Sequence, residues 1–301
     1  MAVSQDREEE MQEDVTFKSG DLNIKGTVTI PDDYKAGDKR PAILVLHGFG
    51  SNRTSSNVKL PCKMLSDWGY VTLGFDMRGC GESDGKRANL ICLEQVEDTR
   101  AAMSYMQTRP EVDPDRLGLL GSSFGAAVAV YTGGVDNRAK AIISSGGWGD
   151  GERKFRGQHP GEEKWKKFTD MLARGKKHRE ETGESLMVDR YDIVPIPPHL
   201  RTNLAQNSIH EFTAETAQSM YDFRADDVVG NIAPNALLLL HSSVDSVTPT
   251  EQSVEMFKRS GQPTDLHLFA ETDHFMFAES NTRVRSVVSD WLQQYFPVKT
   301  G

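Results

Sequence analysis

Cysteine is scarce in this chain. Its three residues, Cys62, Cys80 and Cys92 in 301 positions, are an odd number without metal-ligand spacing, so they argue against a disulfide framework and a metal site. They read as reduced thiols in a reducing compartment. Long apolar runs are missing as well: nothing approaches the roughly 18 to 20 residues that span a bilayer, and no membrane partner is expected. Residues 1–14 are mostly polar and acidic. They lack the cationic start and apolar stretch of a secretory signal, so a cytoplasmic protein with an acidic N-terminal tail is the expectation. Positive charge is in deficit, with 35 Lys and Arg against 44 Asp and Glu for a formal net charge of -9. Without a basic footprint, no nucleic-acid partner is expected. Internal repeats and low-complexity tracts do not occur.

What is present is an ordinary globular balance, 37% apolar and 26% charged, on a chain long enough for one large core or for a core with an insertion. Residues 15–18 and 22–30 alternate apolar with polar, the pattern of an antiparallel hairpin with one wet face. Residues 42–46 differ, forming a continuous apolar run that suits a strand buried on both faces of a parallel sheet. Similar runs recur at 71–75, 117–120, 141–143, 236–240 and 266–269. Between most of them lie segments with apolar residues at three- and four-residue spacing, at 58–68, 90–107, 124–132, 249–259 and 282–295, which predict helices. Alternation of strand and helix predicts a mostly parallel central sheet flanked by helices.

One interval breaks this rhythm. About 90 residues separate the strand near Ser144 from that near Ala236, far more than a crossover needs. Its first half is rich in lysine and arginine (Lys154, Arg156, Lys164, Lys166, Lys167, Arg174, Lys176, Lys177, Arg179), with Trp165, Phe168, Met171 and Leu172 at helical spacing. We therefore expect a core of residues 15–147 and 234–301, interrupted by a helical cap of residues 148–233. Pro195-Ile196-Pro197-Pro198 cannot continue a helix and should join two cap segments.

The chemistry centres on Gly121-Ser122-Ser123-Phe124-Gly125. It matches G-x-S-x-G between a predicted buried strand and a predicted helix, the context in which a sharp turn exposes the central serine at the sheet edge. A serine hydroxyl needs a base within hydrogen-bond reach and a group that fixes the tautomer of that base. His274 follows the last strand in Glu271-Thr272-Asp273-His274-Phe275, where a loop can place an imidazole over Ser123. Asp245 follows the preceding strand and is the expected orienting acid. It could alternatively cap the next helix. Asp273 is a weaker orienter, since adjacent side chains point apart.

With these residues in this order, the chain resembles the α/β-hydrolase superfamily, whose nucleophile, acid and histidine occur in the sequence Ser123, Asp245, His274. His47-Gly48-Phe49-Gly50 is similar to the oxyanion-hole loop of that family. The resemblance implies the backbone N–H groups of Phe49 and Phe124 as donors, and His47 as an organiser of the loop. Asp76-Met77-Arg78-Gly79-Cys80-Gly81-Glu82-Ser83 looks like the D-x-R-G-x-G-x-S segment of these enzymes, with a structural role. Acyl transfer through an acyl-serine follows, and it requires no metal or organic cofactor.

Within the superfamily the core resembles feruloyl and cinnamoyl esterase-like hydrolases, and also Xaa-Pro dipeptidyl-peptidase and cocaine-esterase relatives. A serine at the elbow disfavours the aspartate-based dehalogenases and epoxide hydrolases. Hydrolysis of a small-molecule carboxylic ester is the leading expectation. The same triad serves an amide or peptide bond, or a carbon–carbon bond beside a ketone, and a lyase or ligand-binding member of the fold is a further alternative. Trp148, Trp165 and Tyr221 are expected either to line an apolar substrate pocket under the cap or to form the cap's own core. The basic run is either a solvated helix face or an attractor of anionic substrates.

Overall fold

The continuous apolar runs become interior strands because a strand covered on both faces has no wet side to keep polar. In the computed structural model, which describes residues 11–299, β1 (Met11–Ser19) and β2 (Leu22–Ile30) pair as an antiparallel hairpin. Then come β3 (Arg40–Leu46), α1 (Ser56–Asp67), β4 (Val71–Phe75), α2 (Cys92–Gln107), β5 (Val112–Ser122), α3 (Phe124–Val135) and β6 (Ala139–Ser145). The insertion holds α4 (Gly151–Gln158), α5 (Glu162–Thr182), β7 (Met187–Asp189), α6 (Arg190–Ile193), β8 (Glu211–Thr213) and α7 (Ala214–Asp222). The chain returns as β9 (Ala236–Ser242), α8 (Glu251–Arg259), β10 (Thr264–Phe269) and α9 (Thr282–Tyr295).

The main sheet has the order β1-β2-β4-β3-β5-β6-β9-β10. From β4 to β10 the strands run parallel, and β2 is antiparallel to both neighbours. This is the α/β-hydrolase architecture. Side chains alternate across it: Leu44 and Leu46 pack with Leu73, Leu119 and Ile142 beneath α2 and α3. On the other face Ile43 and Val45 pack with Leu120, Ile143 and Leu238 against Val58 and Leu65 of α1 and Val288 and Trp291 of α9. Each such aliphatic side chain, fully withdrawn from water, contributes about 1.5–3 kcal/mol. The parallel strands thereby bring their C-terminal ends, and the loops that follow, to one edge.

Three boundaries differ from expectation. β1 begins at Met11, so residues 11–14 of the segment read as a tail are strand, while residues 1–10 lie outside the described residues. Charge conceals this strand, because its polar side chains bond along the sheet edge: Asp14 Oδ1 accepts from Thr27 Oγ1 at 2.7 Å, and Glu13 pairs with Arg109 at 2.7 Å. β5 starts at Val112, ahead of its apolar run, because Val112 pairs with Arg40 across a register shift. The insertion is mostly helical but contains an antiparallel sheet, β7 with β8, whose strands are too short for a two-residue period to show.

Most of the expected basic run on α5 is a solvated face. Lys166 and Asp170, and Lys177 and Glu181, pair at i,i+4, and Lys167 pairs with Asp192 of α6. Lys154 departs from that pattern. Its ammonium is buried 3.9 Å from the Phe155 ring centroid and 4.5 Å from that of Trp148, and burial pushes its pKa down to about 7. The proline stretch leaves α6 and enters a 3-10 turn at Pro198–Asn203. Cys62, Cys80 and Cys92 are buried, and burial raises the Cys92 thiol to about 12. Among the described residues no helix is long and apolar enough to cross a membrane.

Candidate active site

β5 ends at Ser122 and α3 begins at Phe124, so Ser123 alone makes the turn, at φ 55° and ψ -114°. A non-glycine residue at positive φ is strained, and its neighbours hold it there. Ser123 N donates to Ser145 O at 2.8 Å, and Ser123 O accepts from the N–H of Ala126 at 3.1 Å. The motif glycines permit this close passage. A Cβ on Gly125 would sit 2.5 Å from Leu46 O, and one on Gly121 would collide with the Gly125 carbonyl.

His274 and Asp245 converge on this serine from the loops after β10 and β9. His274 Nε2 lies 2.8 Å from Ser123 Oγ, and Nδ1 lies 2.8 Å from Asp245 Oδ2. A carboxylate only accepts, so Nδ1 carries the proton and Nε2 is left to accept from the serine hydroxyl. Asp245 Oδ1 accepts from the backbone N–H of Val247 at 2.8 Å and of Thr248 at 2.7 Å. Burial pushes the Asp245 carboxyl up, but His274 and His241 outweigh it and hold the group well below the usual carboxylate range. Asp273 is turned to loop structure instead: it accepts from His274 N at 2.7 Å and from Ser246 Oγ at 2.6 Å.

His241, at the end of β9, went unnoticed in the sequence. Its Nε2 lies 3.3 Å from Asp245 Oδ2 and 3.0 Å from Thr248 O, and its Nδ1 lies 2.6 Å from Ser253 Oγ. Because Thr248 O only accepts, Nε2 bears the hydrogen and Nδ1 takes the Ser253 hydroxyl proton. The signal was there to read: a histidine closing an apolar strand and standing four residues before the acid.

Across the pocket, His47 ties two loops together. Its Nε2 accepts from Met77 N at 3.1 Å, so Nδ1–H donates to Gly48 O at 2.8 Å. Burial holds its pKa below the ordinary imidazole value. Asp76 anchors the adjacent loop by accepting from Arg53 N at 2.6 Å and Glu82 N at 3.0 Å and by pairing with the Arg53 guanidinium. Gly48 packs on Ser123 and places Phe49 beside Phe124, ring centroids 6.0 Å apart. The first N–H groups of a helix have no partner within it, so the Phe124 N–H at the start of α3 is available to a ligand at Ser123.

Ser123 and His274 open into a pocket whose walls include Ser51, Asn57, Arg190, Val194, Ile196, Leu204, Phe275 and Met276. Trp148, Trp165 and Tyr221, expected there as one of two readings, are not among its lining residues. Trp148 is buried with its ring against Phe124 and Phe223, at 5.7 and 6.4 Å. Trp165 packs on Phe168 at 5.8 Å and Tyr221 at 6.4 Å, with Arg156 over its face at 4.2 Å. Aromatic residues at helical spacing on α5 and α7 thus satisfy one another as the core of the cap. The irregular segment after α6 supplies its wall of the pocket instead.

A family model described as serine aminopeptidase, S33, matches residues 37–281. An uncharacterized 31.7 kDa protein of Escherichia coli, from a traX-finO intergenic region, is 25% identical over 273 residues, covering 85% of this chain and 92% of that protein. Acyltransferase drtE of Aspergillus calidoustus is 34% identical over 138 residues, 45% of this chain and 43% of that one. Among solved structures, Est1E of Butyrivibrio proteoclasticus with ferulic acid bound has the same fold, with a TM-score of 0.68 over 93% of this chain and 98% of that chain at 16% identity. Because the family match runs from ahead of β3 to the start of α9, through both halves of the core and the insertion between them, the chain belongs to the serine aminopeptidase S33 family of α/β hydrolases.

Proposed function

We propose that this α/β hydrolase is a serine esterase that cleaves carboxylic esters of small molecules through an acyl-enzyme. The observation that carries the reading is the unbroken line from Ser123 Oγ to His274 to Asp245, with 2.8 Å at each step, opening into a pocket. Ser123 Oγ attacks the ester carbonyl while its proton passes to His274 Nε2. The charge that develops on the carbonyl oxygen is taken by the N–H groups of Phe49 and Phe124. His274 then gives its proton to the departing alkoxide, and the acyl group remains on Ser123. Water, deprotonated by the same imidazole, releases the acid. Asp245 stays ionised throughout and keeps His274 in the tautomer that accepts from serine.

Val194, Ile196, Leu204, Phe275 and Met276 give the pocket an apolar side suited to an acyl chain. The feruloyl esterase-like appearance of the core and its likeness in fold to Est1E favour an ester over an amide. Likeness to acyltransferase drtE favours a second reading, in which an alcohol or thiol replaces water in the second half-reaction. Turnover of p-nitrophenyl esters of graded acyl length, with fluorophosphonate labelling of the native protein and of Ser123→Ala, tests the first reading. Activity and label confined to the native protein are expected, and a native protein that neither labels nor turns over would sink it. Added alcohols that divert the acyl group from acid to new ester would establish the second.

A further inference from the structure

The cap reaches the oxyanion loop through one buried cation. Arg190, the first residue of α6, is 2% exposed and lines the pocket that holds Ser123. Its Nη2 donates to Phe49 O at 2.5 Å and its Nη1 to Ile209 O at 2.8 Å. The guanidinium carbon lies 5.2 Å from the Phe49 ring centroid and 6.0 Å from that of Phe212 of β8, which stacks on Phe49 at 4.2 Å. A third link is Ile209 N, which donates to Gly50 O at 3.0 Å. Gly50 itself has φ +56°, and a Cβ there would drive into Phe212 and stand 3.2 Å from Arg190 Nη1. The loop that carries the Phe49 N–H is thus gripped on its cap side by Arg190, Ile209 and Phe212, and on its core side by His47 through Gly48 O.

Among the described residues no carboxylate pairs with Arg190. A buried guanidinium that meets carbonyls and aromatic faces alone gives up the partner that ordinarily offsets desolvation. Stability therefore gives no reason for an arginine in this place. We infer that Arg190 is a positioning residue for the oxyanion hole: by holding the Phe49–Gly50 peptide it fixes the adjoining Gly48–Phe49 peptide, whose N–H faces the reacting carbonyl. The inference rests on the esterase reading above. It also gives the short β7–β8 sheet a task, since that sheet brings Arg190 and Phe212 to the same loop.

Arginine suits this post and lysine does not, because the planar fork bonds two carbonyls at once whereas an ammonium is a single point. Displacement of a catalytic donor by about 1 Å costs on the order of 10²-fold in rate. For Arg190→Met we expect kcat on the best p-nitrophenyl ester to fall about 10²-fold with KM within about twofold, and for Arg190→Lys a fall of about tenfold. Two inhibitors separate positioning from plain scaffolding. A trifluoromethyl ketone adds Ser123 Oγ to its carbonyl, sends the serine proton to His274 and leaves an oxyanion in the hole. A non-reactive ether analogue of the ester fills the pocket without forming one. Weakening of the ketone in step with kcat, with ether affinity unchanged, supports the inference. Parallel weakening of both inhibitors with a raised KM overturns it, as does a variant that keeps native kcat. If Arg190→Met does not fold, Arg190→Lys carries the same comparison. A native protein inert to esters and to the ketone sinks the esterase reading first, whereas an active native enzyme matched by its variants sinks this inference alone.

Discussion

The core and the cap meet at Ser123 under different rules. In the core, Ser123 and His47 directly follow strands β5 and β3, and glycines beside them in sequence shape their turns. Ser123 is set by Gly121 and Gly125, and His47 by Gly48. In the cap, Arg190 reaches the site by donating to the backbone carbonyls of Phe49 and Ile209, 141 and 19 residues away in sequence. Carbonyls carry no residue identity, so such a grip leaves no motif behind.

The comparison is sharpened most by removing the core's proposed nucleophile. Ser123→Ala is expected to lower ester turnover by about 10⁶-fold and to abolish fluorophosphonate labelling, with the fold unchanged by circular dichroism. Asp245→Asn should follow with a loss of about 10⁴-fold in kcat, since an amide can hold His274 in the wrong tautomer. The same substitution has a pH signature. The folded carboxyl lies below its free value of about 3.9, so the unfolded chain binds more protons in acid and native stability rises as pH climbs through the acid range. Melting of Asp245→Asn should show a shallower rise over that range.

Packing in the cap provides the contrasting case. Phe168 is buried and stacks on Phe155 at 4.4 Å and on His159 at 4.6 Å, outside the pocket. Phe168→Ala should cost about 3–5 kcal/mol of stability by denaturant melts, while KM for short acyl esters moves less than about threefold, as expected of a residue without substrate contact. A large shift in KM would break the division between a cap that packs and a loop that acts. Smallest is the effect expected at Asp136, where the Arg138 guanidinium leads a set of bonds that bring the carboxyl to about 2. Its Arg100 and Arg138 partners are partly solvated, 44% and 27% exposed, so Asp136→Asn should cost only about 1 kcal/mol at neutral pH. The difference between native and variant should persist above pH of about 4 and vanish as pH falls through 2.

Against these expectations, what the sequence made legible follows physical lines. Runs such as 42–46 and 236–240 announced buried strands because both faces are covered. The elbow at 121–125 was legible because a strand, a tight turn and a helix each left a local mark. β7 and β8 were not, since strands of this length show no period, and β1 hid four residues behind charge. Trp165 illustrates a different obstacle: its spacing with Phe168 shows that the two share a helix face but not which surface that face meets. His241 lay in plain view beside Asp245, but its role depends on Ser253 and Thr248, which only the folded loop brings to it.

The carboxylate of Asp245 is moored independently of His274. Oδ1 is held by two backbone N–H groups, and Oδ2 has His241 beside His274, with the His241 ring pinned by Ser253. In the mechanism proposed above, a His274 ring that swings toward a leaving group would find the acid still in its place, because these contacts do not depend on His274. In the relay proposed for Ser123, the loop after β9 would serve as a hinge post that keeps the acid aligned from one turnover to the next.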